Sequence, residues 1–166
     1  AATTGMTAIV HPGGSIDSVV DGSWGPAINT VTDAVAFLWR AELAGQPRRA
    51  DIWSRVRAYA QESFPKIGIS FVDVHAALAL AASGRDVSGM VAELRERNAS
   101  GKLAAGSVVY RLAEGFAAYE RKDWTGAISI FESALPKTVR IGGSRAQLTA
   151  RARLLGLCRG DGAGRA

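Results

Sequence analysis

Residues 113–136, AEGFAAYERKDWTGAISIFESALP, carry the clearest structural pattern in the chain. Gly115 is a small residue at a point where two helices can approach closely. Asp123 can cap a second helix, and Trp124 can pack at its start. Apolar residues then follow at spacings of four and three, which is the repeat of one helical face: Ala127, Phe131 and Ala134. The stretch therefore predicts two antiparallel helices that interlock.

The same helical periodicity extends over the neighbouring segments in both directions. The apolar spacing predicts helices over 30–44, 48–63, 71–83, 86–98, 103–121, 124–139 and 145–158. Pro136 has no amide hydrogen to donate, so it should end or kink the sixth of these helices. Because short links make successive helices antiparallel neighbours, the seven segments predict an all-α stack of helical hairpins.

Composition limits the classes of protein to which the chain can belong. It has 166 residues, of which 48% are hydrophobic, enough for one domain with a real core. The net charge is +5, but the arginines are scattered among glutamates, as in 93–97. That pattern predicts a solvated surface and no nucleic-acid partner. No apolar run is long enough to span a membrane, so we expect no membrane partner either.

The two ends of the chain differ from its middle. Glycine and proline interrupt residues 1–28, which predicts an irregular leader before a helical domain at 29–159 and a disordered tail at 160–166. The leader has no charged and apolar regions like those of a signal peptide. A single cysteine, Cys158, forms no disulfide framework. These features predict a cytoplasmic protein.

Three further stretches carry a family resemblance: DAVAFLWRAELAG (33–45), FVDVHAALALAASGR (71–85) and VRIGGSRAQ (139–147). Residues 113–136 also resemble a tetratricopeptide repeat. In this order the stretches resemble the C-terminal half of the tetratricopeptide repeat protein 38 family, over roughly residues 30–157. The resemblance implies a short right-handed solenoid of degenerate repeats and little particular chemistry. It departs at Leu148 and Thr149, where the family usually has arginine and aspartate. Since the family's N-terminal half is missing, the resemblance implies either a fragment of a longer protein or a domain within a larger multidomain protein.

Asp73 and His75 are the first candidates for chemistry. Residues two apart on a helix point about 200° away from each other, so they cannot form a local acid–base pair. Ser70 and Asp73 have the spacing of a capping box. His75 shares a helical face with Phe71 and Leu78, which favours a structural histidine and leaves a ligand or catalytic role as the alternative.

A second candidate is the double glycine at 142–143. Gly142 and Gly143 can take left-handed backbone angles, and Ser144 can begin the next helix. Free amides there, with Arg140 nearby, could bind a phosphate or carboxylate. An ordinary turn between two helices is the favoured interpretation. No catalytic, metal or cofactor motif occurs, so we expect no cofactor.

The preferred function is binding. A stack of helical hairpins presents a groove that can hold a protein or peptide partner. The candidate groove residues are His75, Tyr110, Arg111, Tyr119 and Arg140. Two alternatives remain open. One is a small-molecule or catalytic pocket around His75, and the other is a structural domain of a larger enzyme or of a homo-oligomer.

Overall fold

A computed structural model describes residues 25–142, and this part of the chain contains helices and turns without any β-strand. The α-helices are α1 (Ala27–Leu43), α2 (Ala50–Ser63), α3 (Ser70–Ala82), α4 (Ser88–Ala99), α5 (Val108–Glu120) and α6 (Trp124–Ala134), followed by a 3₁₀-helix (Leu135–Arg140). The all-α prediction is confirmed for these residues. The described range holds six α-helices rather than the seven predicted for the chain, and the seventh predicted helix, 145–158, lies outside it.

Turn-forming residues explain where helix bounds differ from those predicted. The first helix begins at Ala27, inside the predicted irregular leader, because the Pro26 carbonyl accepts hydrogen bonds from the amides of Asn29 and Thr30. α5 begins at Val108 rather than at 103, since Gly106 adopts a φ of +69° just before it. Asp123 caps α6 as predicted, with its carboxylate accepting from the Gly126 amide at 2.9 Å.

The end of α6 shows the expected effect of Pro136. The α-helix stops at Ala134, and residues 135–140 tighten into a 3₁₀-helix that has the proline in its first turn. A proline cannot donate the amide bond that the α-helix would need there. The predicted sixth helix at 124–139 is therefore two elements.

The helices α1, α3 and α5 pack side by side in a row, because α3 contacts both of the others. α2 packs against α1 and α3, while α4 and α6 pack against α5. The middle helix α3 can have neighbours on several sides because much of its surface is alanine: Ala77, Ala79, Ala81 and Ala82 are all buried. α5 is the other centre of packing, since it contacts α3, α4, α6 and the 3₁₀-helix.

The closest approach of two helices occurs at Gly115. A Cβ added to this glycine of α5 would lie 2.5 Å from Cε1 of Phe131 on α6, which is closer than real atoms pack. The Phe131 ring therefore occupies the space of the missing side chain. It also meets Phe116, with 5.7 Å between ring centroids, and both phenylalanines are buried.

Arg48 joins the row of helices at one end. Its guanidinium donates to both carboxylate oxygens of Glu120 in α5, at 2.6 and 2.9 Å, and to Glu42 in α1 at 2.7 Å. It also donates to the carbonyl of Ala82, the last residue of α3, at 3.3 Å. Glu42 in turn accepts from the indole nitrogen of Trp53 at 2.5 Å. One positive charge thus lies at the C-terminal ends of three helices, where the helix dipole favours it.

Within residues 25–142, none of the helices is both long and apolar enough to cross a membrane.

We expect Gly115→Ala to destabilise the fold by roughly 1–3 kcal/mol, because the added methyl group must displace a buried ring. Urea unfolding followed by circular dichroism measures the change. Gly89→Ala in α4 is the control, since a Cβ there meets nothing within 4 Å. The control should be neutral or slightly stabilising, as alanine is the better helix former. Equal stabilities for the two variants would contradict the close-approach argument.

We expect Arg48→Met to destabilise the fold by roughly 1–3 kcal/mol, because Glu42 and Glu120 would be left partly buried without their cation. The same urea experiment applies. Arg85→Met is the control, because Arg85 is exposed and has no side-chain partner among the described residues. Surface substitutions of this kind usually stay within about 0.5 kcal/mol. A loss of stability in the control as large as in Arg48→Met would contradict the stabilising role of the contacts between Arg48 and the two glutamates.

Candidate binding groove

A groove of about 360 Å³ lies where α4, α6 and the 3₁₀-helix meet the first turn of α5. We call it the α4–α6 groove and define it by its lining residues: Arg95, Ser107, Val108, Tyr110, Arg111, Ser133, Ala134 and Lys137. α5 and α6 form an antiparallel hairpin, so the beginning of α5 lies beside the end of α6. That is why residues 107–111 and 133–134 share one surface.

The accessible lining of the groove is mostly polar. Val108 and Ala134 lie at its base, but each is only 2% exposed and belongs to the packed core. Ser107, Ser133 and the cationic side chains surround them and supply the exposed surface. Polar groups placed in this way can orient a ligand.

Positive charge dominates the rim. Arg95 comes from α4, Arg111 from α5 and Lys137 from the 3₁₀-helix. Glu114 is the acidic partner, and it accepts hydrogen bonds from Arg95 and, at 3.4 Å, from Arg111. The hydrogen bond with Glu114 raises the pKa of the Arg95 guanidinium, so this cation stays charged. Lys137 forms no ion pair with any of the residues at 25–142.

Arg95 and Arg111 are oriented by other contacts in addition to their ion pairs with Glu114. The Arg95 guanidinium lies over the Tyr110 ring, with 5.0 Å between its central carbon and the ring centroid. Arg111 donates to the Ser133 hydroxyl at 3.2 Å, across the α5–α6 hairpin. Arginine suits this role because its planar group can stack and donate at the same time. These contacts restrict the conformations of both arginine side chains, so that binding a ligand would cost less side-chain entropy.

The structure brings together two of the five predicted groove residues. Tyr110 and Arg111 line the α4–α6 groove. Tyr119 lies at the other end of α5, where its ring packs edge-on against Trp39 at 5.1 Å and Trp124 at 5.4 Å. Arg140 lies on the 3₁₀-helix with its guanidinium beside Gly106, where an added Cβ would be 3.4 Å from Nη1.

His75 is placed apart from these residues, within α3. It is 4% exposed, and its Nδ1 lies 2.6 Å from the carbonyl of Phe71 one turn earlier. A carbonyl can only accept, so Nδ1 carries the proton and donates. The imidazole also packs edge-on against the Phe71 ring, with centroids 4.7 Å apart. This geometry favours the structural interpretation of His75.

The predicted capping box at Ser70 and Asp73 is wrong. Ile69 is the N-cap residue of α3, and no side chain caps that end. Ser70 is the first residue of the helix instead. The Asp73 carboxylate accepts from the amide of Gly68, at 3.2 and 3.4 Å. The acid thus reaches back to the chain before the helix, whereas the serine does not contribute.

Asp73 is 4% exposed, and its environment changes its titration. Burial raises its pKa from 3.8 to about 6, against the opposing effects of the Gly68 hydrogen bond and of the nearby Arg97 charge. Glu93 contributes a smaller upward shift. A buried carboxylate of this kind costs folding energy at neutral pH.

The predicted anion site at 142–144 is described only at its first residue. Gly142 has a φ of +84°, the left-handed conformation expected of it. Gly143 and Ser144 lie outside the described residues, so their role in holding an anion stays a prediction. In the part of the chain from 25 to 142, no three His, Cys, Asp or Glu side chains are arranged to hold a metal ion.

Four polar lining residues were missed by the sequence analysis: Arg95, Ser107, Ser133 and Lys137. Arg95 stands in the alternating charges of 93–97, which indicate only a solvated helix face. Lys137 follows Pro136, and the proline indicates only where α6 ends. No local spacing connects these four residues, because they come from α4, from the N-cap position of α5, from α6 and from the 3₁₀-helix.

Comparison of the chain with protein-family models, with curated proteins and with solved structures finds no match.

We expect Asp73→Asn to gain stability relative to the native chain as the pH rises from about 4 to about 7.5. The raised pKa means that the folded state holds this proton more tightly than the unfolded state. The native chain therefore loses stability as the pH rises through about 6, by roughly 1–3 kcal/mol. Asparagine cannot ionise, and its amide oxygen can still accept from Gly68.

Urea unfolding at both pH values measures this difference. Asp86→Asn is the control, because the hydrogen bond from Ser88 lowers the pKa of this exposed carboxyl. The stability of Asp86→Asn relative to the native chain should not increase as the pH rises. A stability difference for Asp73→Asn that is the same at both pH values would contradict the raised pKa.

Proposed function

We propose that this chain is a helical-repeat binding domain that holds a segment of a partner protein in the α4–α6 groove. The observation that carries the proposal is the groove itself, an open space with an ordered and positively charged polar rim. A volume of about 360 Å³ suits a few residues of an extended chain. Such a segment would anchor the partner and leave the rest of it in solvent.

The arrangement of the helices supports a tetratricopeptide-like stack. α1 with α2 and α5 with α6 pack as hairpins on either side of α3, whereas α4 packs on α5 and not on α3. A helical-hairpin stack is rigid because each hairpin rests on its neighbour, and rigid surfaces bind with a smaller loss of entropy. The resemblance to the tetratricopeptide repeat protein 38 family is part of this proposal. So is a cytoplasmic location, in keeping with a single cysteine in the chain.

The groove lies in a different place from the one expected of the stack. It is bounded by α4 and α6, which flank the row, and only the first turn of α5 reaches it. The partner segment would therefore cross the end of the last hairpin. We do not favour the catalytic alternative, because it needs His75 to face a pocket, while His75 is buried against its own helix.

Site-specific photo-crosslinking tests the proposal. A benzoylphenylalanine at Tyr110 reports on the groove, and one at Tyr59 in α2 reports on another surface. We expect the probe at Tyr110 to crosslink to one defined segment of one partner protein. That segment, made as a synthetic peptide, should bind the purified chain directly.

Filling the groove should remove this binding. Ser133 is exposed on the rim, so Ser133→Trp should block the groove without disturbing the core. We expect the peptide to bind at least about tenfold more weakly, since an anchoring pocket carries much of such an affinity. Ser54→Trp, also exposed but on α2, is the matched control and should leave the affinity unchanged. Equal binding by the two variants would refute the groove as the binding site.

A further inference from the structure

We infer that the α4–α6 groove selects an acidic peptide segment, and that Arg95, Arg111 and Lys137 bind its carboxylates. This inference rests on the proposed function and specifies the chemistry of the partner. Within residues 25–142, three cations and no carboxylate line the groove. Glu114 pairs with the two arginines from beside the groove, so an excess of positive charge remains.

The arginines are oriented before any ligand arrives. Glu114 and the Tyr110 ring hold Arg95, while Glu114 and Ser133 hold Arg111. A guanidinium has five N–H donors, more than these contacts use. The spare donors can therefore bind carboxylates with little loss of side-chain freedom.

Lys137 supplies a charge that no contact within residues 25–142 neutralises. It is exposed on the 3₁₀-helix and pairs with none of the described acidic residues. An ammonium at the edge of the groove raises the local concentration of anionic groups. Its position on a third element spreads the positive charge around the groove.

This spread of charge favours carboxylates along a peptide over a single phosphate. A phosphate dianion binds best where several donors converge on one point, but here the cations come from α4, α5 and the 3₁₀-helix. Nucleic acid fits less well. Among the described lining residues Tyr110 is the one aromatic ring, and Arg95 lies over one of its faces, so the groove lacks the series of rings on which successive bases stack.

A library of random decapeptides displayed on phage tests the inference. The purified chain should enrich peptides that are rich in aspartate and glutamate. The enriched peptides should bind Lys137→Glu at least about tenfold more weakly, because the substitution changes attraction into repulsion. Lys66→Glu is the matched control, since it changes the net charge equally on a loop outside the groove. Its affinity should equal that of the native chain.

The outcomes separate this inference from the proposed function. Enriched peptides that lack acidic residues, yet are lost in Ser133→Trp, would overturn the acidic selectivity and leave the groove as a binding site. Failure to enrich any peptide would count against both. A phosphoserine version of an enriched peptide that binds more than about tenfold tighter than its glutamate counterpart would overturn the assignment to carboxylates. Equal binding by Lys137→Glu and Lys66→Glu would overturn the role of Lys137.

Discussion

The guanidinium of Arg48 is the contact on which the alignment of the helices depends. It lies on the link between α1 and α2, and it binds Glu42, Glu120 and the carbonyl of Ala82. These partners belong to the C-terminal ends of α1, α5 and α3, so the three helices of the row are fixed in register at that end. The carboxylates are less than one-fifth exposed, which makes their loss of hydration substantial. The five N–H donors of an arginine can bind both carboxylates and the Ala82 carbonyl at once, whereas a lysine has only three donors.

The opposite end of α5 packs into the core through Val108 and Val109 and also borders the α4–α6 groove. Phe131 fills the space above Gly115 and sets the distance between α5 and α6. That distance places Ser133 within reach of Arg111 and leaves Val108 at the floor of the groove. The close approach that forms the hairpin thus also determines the width of the α4–α6 groove.

Buried polar groups in α3 serve the fold. Asp73 bonds to Gly68 and His75 bonds to Phe71, so each is tied to backbone within a few residues of itself. The raised pKa of Asp73 is a consequence of burial, and it makes the carboxylate a cost to stability at neutral pH. The side chains available to a partner lie instead at the groove, where the charges are exposed and already oriented.

Periodicity in the sequence was sufficient to determine the all-α class, the antiparallel pair at 108–134, the cap at Asp123 and the interruption at Pro136. Each of these depends on residues within one or two helical turns, and local geometry decides them. The groove could be only partly predicted, through Tyr110 and Arg111. Arg95 and Lys137 reach it from other elements, and Arg48 meets Glu120 across 72 positions of sequence. Such pairings follow from how helices stack, which depends on side-chain shapes on both surfaces at once, so the tertiary structure alone decided them.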